Sequence, residues 1–308
     1  MLIDNLMGFE GELMFKYQKE TTWLSIVAAI LIVSLMATDF LDPIAHTLTK
    51  ATAGLIQYPL VYNLSFFVIV FVGLVKFTKM RWSDFGFARN QLIPAILLSF
   101  GVWVLANIAV LVVSLVQGST ISPAEFWQKD GFLAILGKTI GFIFGVGLLE
   151  ETFFRGFLLP QLYFKFGGSR EKRQWLKLIS AFVISLVAFT LPHFLVTSSI
   201  GMNSVVGTMI GVFILGGILT TFYLRTNNLV LAIIFHGLLD YALPIFETVE
   251  VAEGAGVSIY ELIMLGLWIL VLVIWPYLPQ YLNQGPDVLK IPAHNLSHSG
   301  TIEKSMKL

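Results

Sequence analysis

Apolar runs about as long as a bilayer is thick recur along the whole chain, and they constrain its fold more than any other feature. A helix needs roughly 20 mostly apolar residues to cross the hydrocarbon core of a membrane. The runs lie at about 22–38, 58–77, 92–116, 132–163, 175–195, 204–223, 229–246 and 260–278. The sequence therefore predicts an all-α fold, a polytopic membrane bundle of about eight transmembrane helices.

The composition excludes several classes of protein. Of 308 residues, 56% are hydrophobic and 12% are charged, whereas soluble domains carry about 25% charged residues. The 19 basic and 19 acidic residues cancel, so no excess of positive charge favours nucleic-acid binding. Cysteine is absent, which removes disulfides, thiolate metal sites and a cysteine nucleophile. Because the chain is so apolar, we expect membrane lipids to surround it.

Positive charge is distributed unequally between the two sides of the predicted bundle. If the amino terminus lies in the cytoplasm, most basic loop and tail residues lie there too, and the opposite side receives only Lys50 and Lys129. The positive-inside rule then predicts that both termini are cytoplasmic. The first run has no small-residue cleavage site after it, so we interpret it as a retained helix and not as a signal peptide.

The fourth apolar run contains the charged cluster Glu150, Glu151 and Arg155. A charged residue near the bilayer centre costs about 2.5–3.5 kcal/mol on insertion scales, and intramembrane ionisable residues usually mark a functional site. Glu151 and Arg155 are four residues apart and can pair on one helix face. Glu150 projects about 100° away from them, since a helix has 3.6 residues per turn.

Two further runs carry polar residues that such a site could use. His193 lies near the end of the fifth run, and His236 and Asp240, four residues apart, share one face of the seventh. Each residue alone is compatible with a structural role, such as an ion pair or a hydrogen bond between helices. Their combination favours a functional site. Whether tilt, or a fourth helix that turns at Pro160, brings them to one depth is left open by the sequence.

This set of side chains suits peptide hydrolysis. A carboxylate beside a histidine can take a proton from water and pass it to the leaving amine, and a second histidine can donate to the oxyanion of the tetrahedral intermediate. The same residue types could instead bind Zn²⁺. The chain contains no His-Glu-x-x-His, Gly-x-Ser-x-Gly or phosphate-loop motif, so the corresponding protease and ATPase classes find no support.

Three motifs in order resemble those of the CPBP family (CAAX proteases and bacteriocin-processing enzymes, also called the Abi family). They are Glu150-Glu151-x-x-x-Arg155, Phe189-x-x-x-His193 and His236-x-x-x-Asp240. The stretch Trp82-Ser83-Asp84-Phe85-Gly86, just before the third run, looks like a segment that often precedes the family's core. The resemblance covers roughly residues 80–245.

The resemblance implies a membrane-embedded glutamate-type endopeptidase, metal-independent and without a cofactor, in a bacterial plasma membrane. Its substrate would be a peptide or a lipidated protein terminus. By motif, Glu150 would activate water with help from His193, and His236 with residue 240 would form the oxyanion site. The supporting or substrate-binding residues would be Glu151, Arg155 and Phe189.

Residue 240 departs from the prenyl-processing members, in which Asn is usual at this place. An ionised Asp only accepts hydrogen bonds. Asp240 therefore either is protonated and donates to the oxyanion, or orients His236. We favour the second interpretation, because it requires no unusual protonation state.

Other functions remain open at this stage. A non-catalytic scaffold of the same fold could regulate a membrane or cell-wall protein, although such members tend to lose motif residues that this chain keeps. A proton-coupled transporter is a weaker alternative, since transporters often contain inverted repeats and none is visible here.

Four segments follow from these assignments. Residues 1–79 hold the first two helices, 80–247 the catalytic core, 248–278 the last helix, and 279–308 a polar cytoplasmic tail that we expect to be flexible.

His294 and His298 in the tail are not favoured as metal ligands, and His46 is expected to be a solvated surface residue. Glycines spaced by four, at Gly137, Gly141 and Gly145 and again at Gly207 and Gly211, predict close helix contacts.

Overall fold

A computed structural model describes residues 19–35, 40–87, 89–167, 174–197, 202–247 and 258–275 of the chain. The structural statements that follow concern these residues. The predicted tail 279–308, with His294 and His298, lies outside them. Helices account for nearly all of the regular structure. In chain order they are α1 (Trp23–Ser34), α2 (Asp42–Ala51), α3 (Tyr58–Thr78), α4 (Arg89–Val116), α5 (Glu125–Lys129), α6 (Phe132–Lys165), α7 (Gln174–Thr197), α8 (Met202–Thr226), α9 (Leu229–Asp240) and α10 (Ile259–Ile274).

All eight predicted apolar runs form helices. Five of these helices are long and apolar enough to cross a membrane, and α1, α9 and α10 are shorter apolar helices. The described residues contain no strand; an isolated β-bridge pairs Pro123 with Phe246. The prediction of an all-α polytopic bundle is therefore confirmed, and the chain is an integral membrane protein.

Two boundaries differ from the predicted ones. A short helix, α2, follows the first run, and it leaves His46 exposed as expected. The seventh run was predicted to extend to residue 246, which is wrong, because α9 ends at Asp240. The backbone after it bonds elsewhere: Trp103 donates its indole N–H to the carbonyl of Leu243, and the N–H of Ile245 donates to Asn107.

The helix α6 is a single uninterrupted run of 34 residues. At about 1.5 Å per residue it is roughly 50 Å long, well beyond the ~30 Å of the hydrocarbon core. It does not turn at Pro160. Instead the hydrogen bonding widens to the π-helical pattern over Phe142–Gly147 and Glu151–Leu158, an irregularity that is frequent at functional sites.

The glycine prediction is confirmed in one helix and wrong in the other. A Cβ built on Gly145 would lie 2.5 Å from the carbonyl oxygen of Pro59, and one on Gly141 would lie 3.4 Å from the nitrogen of Leu60. These glycines let α6 approach the start of α3. On α8, by contrast, a Cβ on Gly207 or Gly211 would have no neighbour within 4 Å, because this face points away from the described part of the chain.

Aromatic side chains of α8 and α10 pack against α9. Phe235 stacks on Trp268 of α10 with ring centroids 4.6 Å apart, and Phe222 of α8 meets the same indole edge-on at 5.6 Å. All three side chains are buried. Because His236 follows Phe235 directly, this packing sets the rotation of α9 about its own axis.

Candidate active site

Two glycines bring α6 and α9 into backbone contact beside the charged cluster. A Cβ on Gly147 would lie 2.5 Å from the carbonyl oxygen of Ile233, and one on Gly237 would lie 2.6 Å from the Cα of Ile143. No larger side chain fits at either position without a shift of the helices. This contact places the first charged motif, at residues 150–155, opposite His236.

Glu151 is the centre of the buried part of the site. Its Oε1 accepts a hydrogen bond from Nη1 of Arg155 at 2.9 Å and lies 2.7 Å from Nδ1 of His236. The side chains of Glu151 and Arg155 are 0% and 1% exposed. Because this oxygen already accepts from the guanidinium, we assign Nδ1 of His236 as the donor of the second bond.

The other ring nitrogen of His236 faces the more open part of the site. Its Nε2 lies 3.3 Å from Oδ2 of Asp240 and 3.9 Å from Oε2 of Glu150. The side chains of Asp240 and Glu150 are 26% and 17% exposed, in contrast to Glu151. The two adjacent glutamates therefore have different surroundings, one enclosed and one accessible.

His193 joins this group from α7. Its Nδ1 lies 2.9 Å from the carbonyl oxygen of Phe189, which only accepts, so Nδ1 carries a proton and neutral His193 has its lone pair on Nε2. The ring of Phe189 lies between the two histidines, 5.1 Å from His193 and 6.2 Å from His236. His193 is close enough to act electrostatically on Glu150.

Oε2 of Glu151 is an unused buried acceptor, and Glu150 has another, 3.9 Å from Nε2 of His236. Oε2 of Glu150 is shielded from solvent and makes no hydrogen bond to the described residues. The ionisable side chains near it are those of His236, His193, Asp240 and Glu151. Such an acceptor is a place for a water molecule or a ligand hydrogen.

All seven residues singled out from the sequence meet in one region. The structure brings Glu150, Glu151 and Asp240 within 3.9 Å of the imidazole of His236, and Phe189 contacts His193 and Arg155. The ring of Phe189 lies 4.3 Å from the guanidinium carbon of Arg155. The three helices thus reach a common point, which is what the sequence left open.

The sequence reasoning missed two residues of α8. Arg155 donates through Nη2 to the carbonyl of Gly216 at 3.0 Å and through Nε to Oγ1 of Thr220 at 3.2 Å. A signal was present, since a glycine and a threonine four residues apart share one helix face. It is weak, because threonine commonly bonds to its own helix backbone, as Thr220 also does.

A metal site would draw on the same acidic and imidazole groups. Zn²⁺ accepts imidazole nitrogen and carboxylate oxygen. Among the described residues, however, no group of three or more His, Cys, Asp or Glu side chains has an arrangement suited to a metal ion. Oε1 of Glu151 and Nδ1 of His236 are instead directed at each other, and the same oxygen accepts from Arg155.

Comparison with known proteins locates this site within a family. Residues 131–242 match the family model described as type II CAAX prenyl endopeptidase Rce1-like. Neither a curated protein nor a solved structure matches the chain at a significant level. The matched stretch holds α6, α7, α8 and α9, including every residue of the cluster. The resemblance seen in the three motifs is thereby confirmed for residues 131–242, which are similar to the Rce1-like type II CAAX prenyl endopeptidases.

Proposed function

We propose that the protein is an intramembrane endopeptidase that hydrolyses a peptide bond near the lipidated terminus of a membrane-associated peptide or protein. The observation that carries the proposal is the position of Glu150. Its free oxygen lies 3.9 Å from Nε2 of His236, in a part of the chain that is Rce1-like. The family supports the reaction type, and the residue roles below are the proposed part.

In the first step Glu150 acts as the general base. A water molecule held by Oε2 of Glu150 and Nε2 of His193 attacks the scissile carbonyl carbon and gives its proton to the carboxylate. The bond from water oxygen to carbon forms while the carbonyl π bond opens to an oxyanion. Glu150 then transfers the proton to the leaving amine as the C–N bond breaks.

His236 is the proposed donor to the oxyanion. Its Nδ1–H is held by Glu151, so donation to substrate must come from Nε2, and both ring nitrogens then carry a proton. At rest this N–H would face Oδ2 of Asp240, which lies 3.3 Å from Nε2. An oxyanion that takes the place of that carboxylate receives a preorganised, partly dry hydrogen bond. Asp240 therefore orients His236 and does not itself donate.

Glu151, Arg155 and Phe189 support the site in this account. All three side chains are buried, so their contacts are with the protein and not with a substrate. Glu151 fixes the imidazole of His236, Arg155 neutralises Glu151, and the ring of Phe189 covers the guanidinium.

A metal-independent reaction is favoured over a zinc peptidase. The reason is that Oε1 of Glu151 and Nδ1 of His236 already bond to each other, and the same oxygen to Arg155, together with the lack of a suitable ligand group among the described residues. The test is direct: purified protein should hydrolyse substrate at an unchanged rate in 1,10-phenanthroline, and elemental analysis should find less than about 0.1 metal ion per chain. Loss of activity that returns with added Zn²⁺ would reverse this assignment.

The proposed activity is tested by product analysis. Protein in lipid nanodiscs is incubated in H₂¹⁸O with prenylated peptides, and products are identified by mass spectrometry. Wild type should release a fragment that carries one ¹⁸O at its new carboxyl group, and Glu150→Ala should release none. If neither protein cleaves any candidate and Glu150→Ala still complements a deletion strain, the chain is a non-catalytic regulator.

A further inference from the structure

We propose that Thr220 of α8 is a positioning residue for His236. It acts through a relay of buried side chains, in which Thr220 and the carbonyl of Gly216 fix Arg155, Arg155 fixes Glu151, and Glu151 fixes the imidazole. The proposal rests on the catalytic role proposed for His236. It adds an element, α8, that carries none of the three sequence motifs.

Arg155 is held from several directions at once. Nη1 donates to Glu151 at 2.9 Å, Nη2 to the carbonyl of Gly216 at 3.0 Å, and Nε to Oγ1 of Thr220 at 3.2 Å. The ring of Phe189 covers the guanidinium face at 4.3 Å. A planar fork with three separate acceptors has one orientation that satisfies all of them, so the guanidinium cannot rotate without losing a bond.

The hydroxyl of Thr220 presents an acceptor to Arg155 because its own proton is used elsewhere. Thr220 donates to the carbonyl of Gly216, one turn earlier, at 2.8 Å. Its lone pairs are then left for Nε of Arg155. The same carbonyl of Gly216 accepts from both Thr220 and Arg155, so the two side chains are tied to one fixed point of the α8 backbone.

The absence of a side chain at Gly216 lets α7 close over this arrangement. A Cβ at Gly216 would lie 2.7 Å from Cδ1 of both Leu186 and Phe189, whereas one at the neighbouring Gly217 would meet its nearest atom at 3.9 Å. Phe189 therefore packs directly on the α8 backbone, where its ring reaches Arg155. The contact of the Phe189 ring with the guanidinium of Arg155 therefore also depends on α8.

The relay ends at the nitrogen that sets the orientation of His236. Oε1 of Glu151 accepts from Arg155 and from Nδ1 of His236. Every side chain in the relay is buried, so water cannot replace a lost partner. Because Glu151 and Arg155 belong to the π-helical segment Glu151–Leu158, their own helix backbone is irregular, and α8 provides the regular frame.

The test compares two adjacent threonines of α8. Thr220→Val keeps the shape and removes the acceptor. The matched control is Thr221→Val, because Thr221 is exposed and its hydroxyl bonds only to its own helix, at Gly217. We expect Thr220→Val to lower kcat by roughly tenfold with KM unchanged, since small misplacements of a reacting group are costly. Thr221→Val should match wild type, and Thr220→Ser should restore kcat to within about twofold.

A second readout does not require activity. In protein labelled with ¹⁵N-histidine, the ring-nitrogen signals of His236, assigned through His236→Gln, should shift in Thr220→Val and stay in place in Thr221→Val. Equal effects of the two valine variants, an effect confined to KM, or an unshifted His236 signal would overturn the relay. If wild type cleaves nothing, the proposed function fails, and the histidine signals still decide the relay. Thr220→Ala replaces Thr220→Val in the same comparison if the valine variant does not fold.

Discussion

At the scale of single residues, one carboxylate oxygen organises the site. Oε1 of Glu151 accepts hydrogen bonds from both Arg155 and His236. These two hydrogen bonds orient the imidazole so that its Nε2 faces Asp240 and Glu150. The adjacent Glu150 has a free oxygen and partial exposure. Two neighbours in sequence thus have different surroundings, because a helix points them about 100° apart.

The role of Asp240 gives a prediction at this scale. An Asn at position 240 still presents an acceptor, its Oδ1, to Nε2 of His236. Asp240→Asn should therefore keep most of the wild-type kcat, to within about threefold, whereas Asp240→Ala should lose about tenfold or more because His236 loses its partner. Steady-state cleavage kinetics measure both. A loss in Asp240→Asn as large as that in Glu150→Ala would mean that the reaction needs the carboxylate itself.

The sequence singled out residues that lie close together in the structure, but it could not predict how they are supported. Charges in apolar runs are visible in the sequence because each is costly there, so Glu150, His236 and Asp240 stand out. Thr220 and Gly216 do not, because threonine and glycine are common in membrane helices. Pairing of Glu151 with Arg155 was expected, but the bond from Glu151 to His236 depends on the approach of two separate helices.

At the scale of elements, the contact between α6 and α9 decides whether the site forms. The two backbones meet at Gly147 and Gly237, and π-helical hydrogen bonding on both sides of Leu148–Glu150 adjusts the direction of the glutamates. Apolar length predicted that α6 is a helix. The π-helical segments could not be predicted from composition, because they reflect how the helix fits its neighbours.

The glycine contact is tested by adding one methyl group. Gly147→Ala would place a Cβ 2.5 Å from the carbonyl oxygen of Ile233, so α6 and α9 must separate. We expect a destabilisation of about 1–3 kcal/mol, typical of overpacking, and at least a tenfold loss of cleavage rate. Thermal unfolding in detergent and steady-state kinetics provide the two measurements.

The matched control is Gly207→Ala on α8, where a Cβ meets no atom within 4 Å. Alanine is the better helix former by roughly 0.5–1 kcal/mol, so this variant should be as stable as wild type or slightly more so, with full activity. Equal stability and activity of the Gly147 and Gly207 variants would argue that the α6–α9 contact does not position the site.

The end of α9 illustrates why element boundaries were harder to predict than elements. Ala242, Leu243 and Ile245 continue the apolar pattern, so the sequence favoured a longer helix. In the structure the indoles of Trp103 and Trp127 bind the carbonyls of Leu243 and Pro244. These partners lie more than a hundred residues away in the chain, and local periodicity contains no information about them.

At the scale of the whole molecule, the chain is a helical membrane bundle whose Rce1-like part holds the site. The helices α6, α7 and α9 each carry residues to which we assign catalytic roles, α8 contacts Arg155, and α10 packs against α9. The distribution of basic residues favours a bundle with both termini in the cytoplasm. This orientation is a proposal about the protein in its membrane.

The orientation can be measured cleanly because the chain contains no cysteine. Single substitutions Lys79→Cys, after α3, and Lys129→Cys, at the end of α5, introduce one thiol each. In intact cells a membrane-impermeant maleimide should label Lys129→Cys and should reach Lys79→Cys only after permeabilisation. The reverse pattern would place the termini on the outer side, and labelling of both in intact cells would reject the crossing order.

The central claim is that Glu150 is the base of a peptidase, and the most direct test is the value of kcat/KM for Glu150→Gln in a bilayer. Glutamine keeps the size of the side chain and removes the base, so kcat/KM should fall by about 10²–10⁴-fold. The control Glu125→Gln, at an exposed glutamate paired with Lys129, should retain the wild-type value. A Glu150→Gln enzyme that is folded and within tenfold of wild type would contradict the account.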